Sequence, residues 1–231
     1  MFAIANTKVR FIHSNKLGAK QNMAIDESLV RSFQKDDLPI FRLYSWERSF
    51  TIGISQDFDN YEELKNKIPN FSKRLTGGGV LFHGDDISYS LVFPSSLFKG
   101  LGVKQSYEEI CKFLFNFYKS LDMDIRYAKD INGIQLFKSE FCQVGFEPYD
   151  IIHKGEKLGG NAQRRTKDVI FQHGSIPVDK LDKKFSIKQI ESKLIDSFKD
   201  TFLVSLDESD LNEKEKNIMH TILKDKYDNE K

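Results

Sequence analysis

"KRLTGGGVLFHGDDISYS", Lys73 to Ser90, sets three consecutive glycines between a basic pair and an apolar run, with a histidine closing that run. Glycine is the costliest residue to order, so a run of three marks either a sharp turn or a place where backbone closely approaches something else. No Gly-Lys-Ser/Thr ending follows the glycines, and the G-x-G-x-x-G spacing is absent. Walker-type nucleotide hydrolysis and Rossmann dinucleotide binding are therefore poor readings. What is left is a turn whose amides can approach a carboxylate, phosphate or amide, with the rigid donor fork of Arg74 beside it. From this element alone, a bare structural turn and a ligand-touching loop stand level. "VLFH" and "SYSLVF" are apolar and rich in aromatic or β-branched residues, which predicts strands on both sides of the turn at "GDD".

Upstream, Met23, Ile25, Leu29, Val30 and Phe33 recur at helical intervals and predict an N-terminal helix. "PIFRLYSW", Pro39 to Trp46, reads as a strand and "FTIGIS" from Phe50 as its neighbour, joined by a hairpin-like turn over Glu47 to Ser49. Asn60 to Lys67 predicts a short helix stopped by Pro69. Downstream, Ser106 with Glu109 three residues on reads as a capping box for a helix burying Ile110, Cys111, Leu114, Phe117 and Tyr118. "DIRYA", "IQLFK", "YDII" and "VIFQHGSIPV" read as strands, with a glycine turn at "HKGEK". Ile187, Ile190, Leu194 and Phe198 space a further helix, and Leu211 to Leu223 a weaker one whose "NEKEK" reads as solvated surface. Helices mix with hairpins without regular alternation. That predicts an α+β chain with largely antiparallel or mixed sheets flanked by helices, in a single domain over 1–231 with no separate C-terminal accessory domain.

The 231 residues include 39% hydrophobic residues and 20 phenylalanines, material enough for a core. Thirty-five Lys and Arg balance 34 Asp and Glu, so no global field recruits nucleic acid or a membrane surface. No signal peptide and no apolar run of membrane-spanning length is visible, and two cysteines form no disulfide framework; a soluble, cytoplasmic protein is expected. The five histidines offer no compact zinc spacing.

A second glycine stretch, "KLGGNAQRR", puts Lys157 before Gly159 and Gly160, then Asn161, Gln163, Arg164 and Arg165. An ammonium with nearby amides is suited to polarising a carbonyl and steadying an oxyanion. Two such loops read as opposite walls of a cleft, against the plainer reading of two tight turns with a solvated basic face. His83 and His173 place imidazoles at strand ends, either as proton shuttles or as half-buried hydrogen-bonding rings. Cys111 fits a helix stripe as core filler. Cys142, in "SEFCQVGFEPYD", reads as a loop or strand-edge thiol, inert unless its pKa is lowered, in which case it could attack an acyl group. The cluster Arg164, Arg165 and Lys167 suits either an acidic docking partner or ordinary surface.

Taken in order, "NMAIDESL", "FRLYSWERSFTIGISQ", "KRLTGGGVLFHGDDISYS", and "KLGGNAQRR" followed by "FQHGSI" resemble the lipoate-protein ligases and octanoyltransferases, within the wider group that includes biotin-protein ligases. The combination of "KLGGNAQRR" with "QHGSI" is similar to the lipoate branch more than to biotin ligation. The resemblance implies that an acyl chain lies between the two glycine loops, contacted by Arg74, Gly77, Gly78, Gly79, His83, Gly160, Asn161, Gln163 and His173, with Lys157 at the reactive carbonyl. It implies an amide product on one lysine of a lipoyl domain or of the glycine-cleavage H protein.

Two mechanisms divide the family. An octanoyltransferase takes octanoate from acyl-carrier protein through a cysteine thioester and needs no cofactor, whereas a ligase activates free lipoate with ATP and Mg2+ as an adenylate. Cys142, eight positions before Asp150, resembles the nucleophile of the transferase type, so Cys142 and Lys157 are the expected catalytic pair. Gly79 stands where that type often carries arginine, and the triple glycine is similar to the ligases. Octanoyl transfer is the expected activity, with ATP-dependent lipoate ligation the alternative.

Overall fold

A computed structural model describes residues 7–137, 139 and 145–230. The chain order is β1 (Lys8–Leu17), α1 (Ala19–Ser32), β2 (Ile40–Trp46), β3 (Ser49–Ile52), α2 (Glu62–Lys67), β4 (Phe71–Lys73), β5 (Leu81–His83), β6 (Asp86–Pro94) and α3 (Val103–Ser120). It continues through β7 (Arg126–Tyr127), β8 (Ile151–His153), β9 (Glu156–Lys157), β10 (Asn161–Arg165), β11 (Val169–Pro177), α4 (Ile187–Phe202), β12 (Ser205–Glu208) and α5 (Glu213–Asp225). A six-stranded mixed sheet runs β10-β11-β6-β2-β1-β12, parallel where β1 meets β2 and β12 and antiparallel across the rest. Two three-stranded sheets, β4-β3-β5 and β7-β8-β9, stand beside it. The α+β expectation with mixed sheets holds.

The middle strands of the large sheet, β2, β6 and β11, are covered on both faces, so nearly every position along them is buried rather than every second one. Phe41, Leu43, Tyr89, Leu91 and Phe93 point to one face and pack with Phe113, Phe117, Leu194 and Phe198 of α3 and α4. Ile40 and Val92 point to the other and meet Ile25, Leu29 and Phe33 of the α1 side. Phe41 stacks on Phe198 at 4.4 Å between ring centroids, and Phe113 lies edge-on to both rings.

Several sequence expectations need correction. β2 and β3 form no hairpin: β1 and β6 occupy both edges of β2, so the chain leaves the large sheet after Trp46 and β3 pairs with β4 and β5. The strands expected on both sides of "GDD" do form, β5 in the small sheet and β6 in the large one. Ser106 is not a cap. The helix begins at Val103, Gln105 Oε1 accepts from the Gly102 amide at 2.9 Å, and the buried Ser106 hydroxyl donates to the Val103 carbonyl. Ile134 to Phe137 of "IQLFK" form no strand, and Lys138 lies outside the described residues. Within "NEKEK", Glu215 is only 2% exposed and accepts from Arg10 at 2.6 Å, pinning α5 to the large sheet.

Candidate active site

The first glycine loop spans the gap between β4 and β5, and Arg74 closes it. The Arg74 guanidinium donates to the Thr51 carbonyl (2.9 Å), the Thr51 hydroxyl (2.7 Å) and the Gly79 carbonyl (2.6 Å), so one side chain ties both ends of the loop to β3. Gly78 has φ 111°, a conformation that glycine adopts without steric cost. A Cβ on Gly53 would lie 2.1 Å from the Gly78 carbonyl oxygen, so glycine at 53 is needed for this close approach.

The second loop starts from the β8–β9 hairpin, whose Lys154 and Gly155 both have positive φ (48° and 84°), the pattern of a tight type I′ turn. Lys157 ends β9. At Gly159, φ is 73° and a Cβ would stand 1.8 Å from the Ser175 carbonyl oxygen, so only glycine lets the chain cross β11 here. Beyond it, the Asn161 side-chain carbonyl accepts from Tyr89 (2.8 Å), while Gln163 Oε1 lies 3.3 Å from the Ser106 hydroxyl and its amide donates to Gln172 (3.1 Å).

These loops face one another across a cavity of about 400 Å³, in the size range of small-molecule sites. Arg74, Gly77, Gly78, Gly79, His83, Lys157, Gly160, Asn161, Gln163 and His173 all border it. Met23, Tyr44, Trp46, Leu81 and Val103 give it an apolar lining. Residues 77 to 79 and the stretch from 157 to 163, far apart in sequence, are thus brought together. Cys142 lies outside the described residues, whereas Ser139 and Gly145 on either side of it border the cavity.

The Lys157 ammonium sits 2.6 Å from the Asp150 carboxylate, both side chains about nine-tenths buried. Burial pushes the Asp150 carboxyl up, and Lys157 only partly offsets it, so its pKa stays above the ordinary carboxylate value. Asp150 is also held by the Glu147 amide at 2.7 Å. The sequence reading used Asp150 only as a landmark; its partnership with Lys157 crosses the β8–β9 hairpin and has no local signature.

Neither histidine is a free imidazole. His83 stacks on Trp46 at 3.7 Å, donates from Nδ1 to Asp86 (2.9 Å) and meets the Thr51 hydroxyl at Nε2 (2.9 Å). His173 lies inside β11 rather than at a strand end, with Nε2 2.7 Å from the Thr76 hydroxyl and Nδ1 3.9 Å from Asp26. Burial lowers its pKa despite Asp26, so the ring is neutral near pH 7. Both rings brace the first glycine loop through threonines. Behind His173, Asp26 also accepts from Arg42 (2.8 Å), Tyr44 (3.0 Å) and Ser90 (2.7 Å). The signal for this cluster was a carboxylate on the apolar stripe of "MAIDESL" and a guanidinium inside the apolar strand "PIFRLYSW", opposite charges with nowhere else to go.

Among the described residues no group of three His, Cys, Asp or Glu side chains is placed to hold a metal ion, and no helix is long and apolar enough to cross a membrane.

The architecture is that of the lipoate protein ligases. A lipoate-protein ligase A crystallised with ATP superposes with a TM-score of 0.79 over 97% of each chain at 23% identity. A bi-partite lipoate protein ligase from Thermoplasma acidophilum gives 0.78 over 96% of this chain and 94% of that one, also at 23% identity. The family model for the lipoyl protein ligase A/B catalytic domain matches residues 18–209, and the chain belongs to that family.

Among its relatives, the octanoyltransferase LipM of Kyrpidia tusciae is 32% identical over 181 residues, covering 74% of this chain and 66% of that protein. LipM of Oceanobacillus iheyensis is 30% identical over 177 residues (74% and 64%), and LipM of Staphylococcus aureus 30% over 199 residues (80% and 72%). The chain spans just under two thirds of the length of the first two.

Proposed function

We propose that this chain transfers an octanoyl group from octanoyl-acyl-carrier protein, through a thioester on Cys142, to one lysine of a lipoyl domain or the glycine-cleavage H protein. The observation that carries the reading is the apolar cavity bordered by both glycine loops and by the Lys157 ammonium. The resemblance to LipM octanoyltransferases supports the choice of acyl group. In the first step the Cys142 thiolate attacks the donor thioester carbonyl, and the carrier's thiolate leaves and takes up a proton. In the second, the neutral acceptor amine attacks the enzyme thioester. The amide forms, the C–S bond breaks, and the amine's proton returns to the Cys142 thiolate.

Each addition places negative charge on the carbonyl oxygen. Lys157, oriented by Asp150, and the amides of the Gly77–Gly79 loop are the groups that would hold that charge. Arg74, His83 and His173 act by holding the loop in shape. Of the two cysteines, Cys111 is fully buried and burial raises its pKa to about 12, so it supplies no thiolate near neutral pH.

Lys157→Ala is expected to lower kcat by about 10²- to 10³-fold, the scale for removing one oxyanion donor, with little change in donor KM. Steady-state rates in a variant with an unchanged melting curve check this; a kcat near that of the wild type rules out the role.

The deciding experiment is the intact mass of an apo lipoyl domain incubated either with octanoyl-acyl-carrier protein alone or with free lipoate, ATP and Mg2+. Octanoylation without ATP is expected. Modification only in the second mixture would replace this reading with ATP-dependent lipoate ligation, to which the triple glycine at residues 77 to 79 bears a resemblance.

A further inference from the structure

At the far end of β10 and β11 from Lys157 lies a second cleft, of about 390 Å³, between the β6–α3 connection and the turn joining β10 to β11. Lys35, Lys99, Arg165 and Lys167 border it, against a single carboxylate, Asp168. On a chain whose formal net charge is +1, this is a local concentration of positive charge. It is also uncompensated. Many surface lysines here pair with acids along their own helices, as Lys67 does with Glu63 and Lys112 with Glu109. Lys35, Lys99 and Lys167 form no salt bridge among the described residues, and Arg165 meets only neutral oxygens, the Leu101 carbonyl (3.4 Å) and the Ser106 hydroxyl (3.3 Å).

The cleft adjoins the wall of the main cavity. Ser106 is shared: Arg165 donates to its hydroxyl from the cleft side, and that hydroxyl lies 3.3 Å from Oε1 of Gln163, which borders the cavity. From Asn161 to Arg165 the strand advances four residues, about 13 Å at the rise of an extended chain. Between the two sites, Val103 is 62% exposed and forms an apolar rim.

We propose that this cleft docks the acidic carrier that delivers the acyl thioester, and holds the phosphodiester at the root of its prosthetic arm. The inference rests on the thioester-transfer reading above and adds where the donor binds. A phosphate is a fixed charge with several acceptor oxygens, suited to Arg165 and flanking ammonium groups. An arm anchored there runs past Val103 and along β10 to bring its thioester to Lys157. The acceptor domain carries no such phosphate. A nucleic acid would call for a longer basic stripe than one cleft on a near-neutral chain.

The test is binding of the full chain to octanoyl-acyl-carrier protein and to the same carrier without its arm, at low and moderate salt, for the wild type and for Lys35→Glu, Lys99→Glu and Lys167→Glu. The armed carrier is expected to bind more tightly than the armless one, and each reversal to weaken armed-carrier binding about tenfold at low salt, with less effect once salt screens the pair. Unchanged binding in all three variants overturns the proposal, as does equal wild-type affinity for armed and armless carrier. Weakening confined to an apo lipoyl domain, measured alongside, would make the cleft an acceptor site instead. Because binding is read without turnover, a failure of ATP-independent transfer would sink the functional reading without deciding the docking result.

Discussion

Cys142→Ala is expected to abolish ATP-independent octanoyl transfer, with turnover falling about 10⁴-fold or more, because the attacking atom itself is removed. The wild type incubated with octanoyl-acyl-carrier protein and no acceptor should gain the mass of one octanoyl group, labile to hydroxylamine; the variant should gain none. Cys111 offers no rescue, since its thiol is enclosed by the α3 core, with Gln172 3.4 Å away. Cys142→Ser should restore little, because a hydroxyl is a far weaker nucleophile near neutral pH than a thiolate. Full transfer by Cys142→Ala without ATP would mean that the acceptor amine attacks the donor thioester directly, and the enzyme-bound thioester would have to be given up.

The largest stability effect is expected at Asp26. Arg42 is fully buried and has Asp26 as its carboxylate partner; its other bonds go to Asn22 and Ser14. Asp26→Ala strands that guanidinium and takes the acceptor from Tyr44 and Ser90, a loss of about 3–5 kcal/mol. That is a large share of the 5–15 kcal/mol typical of folded proteins. Urea unfolding of the variant measures it, and a melting point lowered by roughly 10 °C should accompany it. Removing both charges, Asp26→Leu with Arg42→Met, should recover much of the loss. A single variant as stable as the wild type would show that the pair contributes nothing net.

The pH dependence of that effect has a defined sign. Burial alone would raise the Asp26 carboxyl; Arg42, His173 and Ser90 outweigh it and hold its pKa below the ordinary value. Its contribution is therefore complete above about pH 4 and is lost as pH falls through the lowered folded value. Asp86 behaves alike, held down by His83 and Ser175 against its burial. Wild-type stability should drop on this acid limb, and Asp26→Ala should show a shallower drop.

The comparison of sequence with structure divides along the range of the interactions involved. The helix from Ile187, the strand through "VIFQHGSIPV", the turn at "HKGEK" and the buried stripe of α3 were legible because each is a pattern over a few neighbouring residues. The hairpin between "PIFRLYSW" and "FTIGIS" failed for the complementary reason. A short turn between two apolar runs marks a place to reverse direction, but both edges of β2 were taken by strands from elsewhere in the chain. The capping box at Ser106 failed because Gly102 and Gln105 made an equivalent start one turn earlier.

By itself, the sequence marked where glycine was required and singled out candidates for the site: Arg74, the three glycines, Lys157 and the two histidines. The tertiary structure alone decided their company. It placed Asp150 on Lys157, put Thr51 and Thr76 between the histidines and the first glycine loop, and joined Asp26 to Arg42 and His173. The physical reason is that periodicity and turn chemistry act between neighbours in the chain, whereas a buried charge is satisfied by whichever opposite charge the sheet order brings within reach.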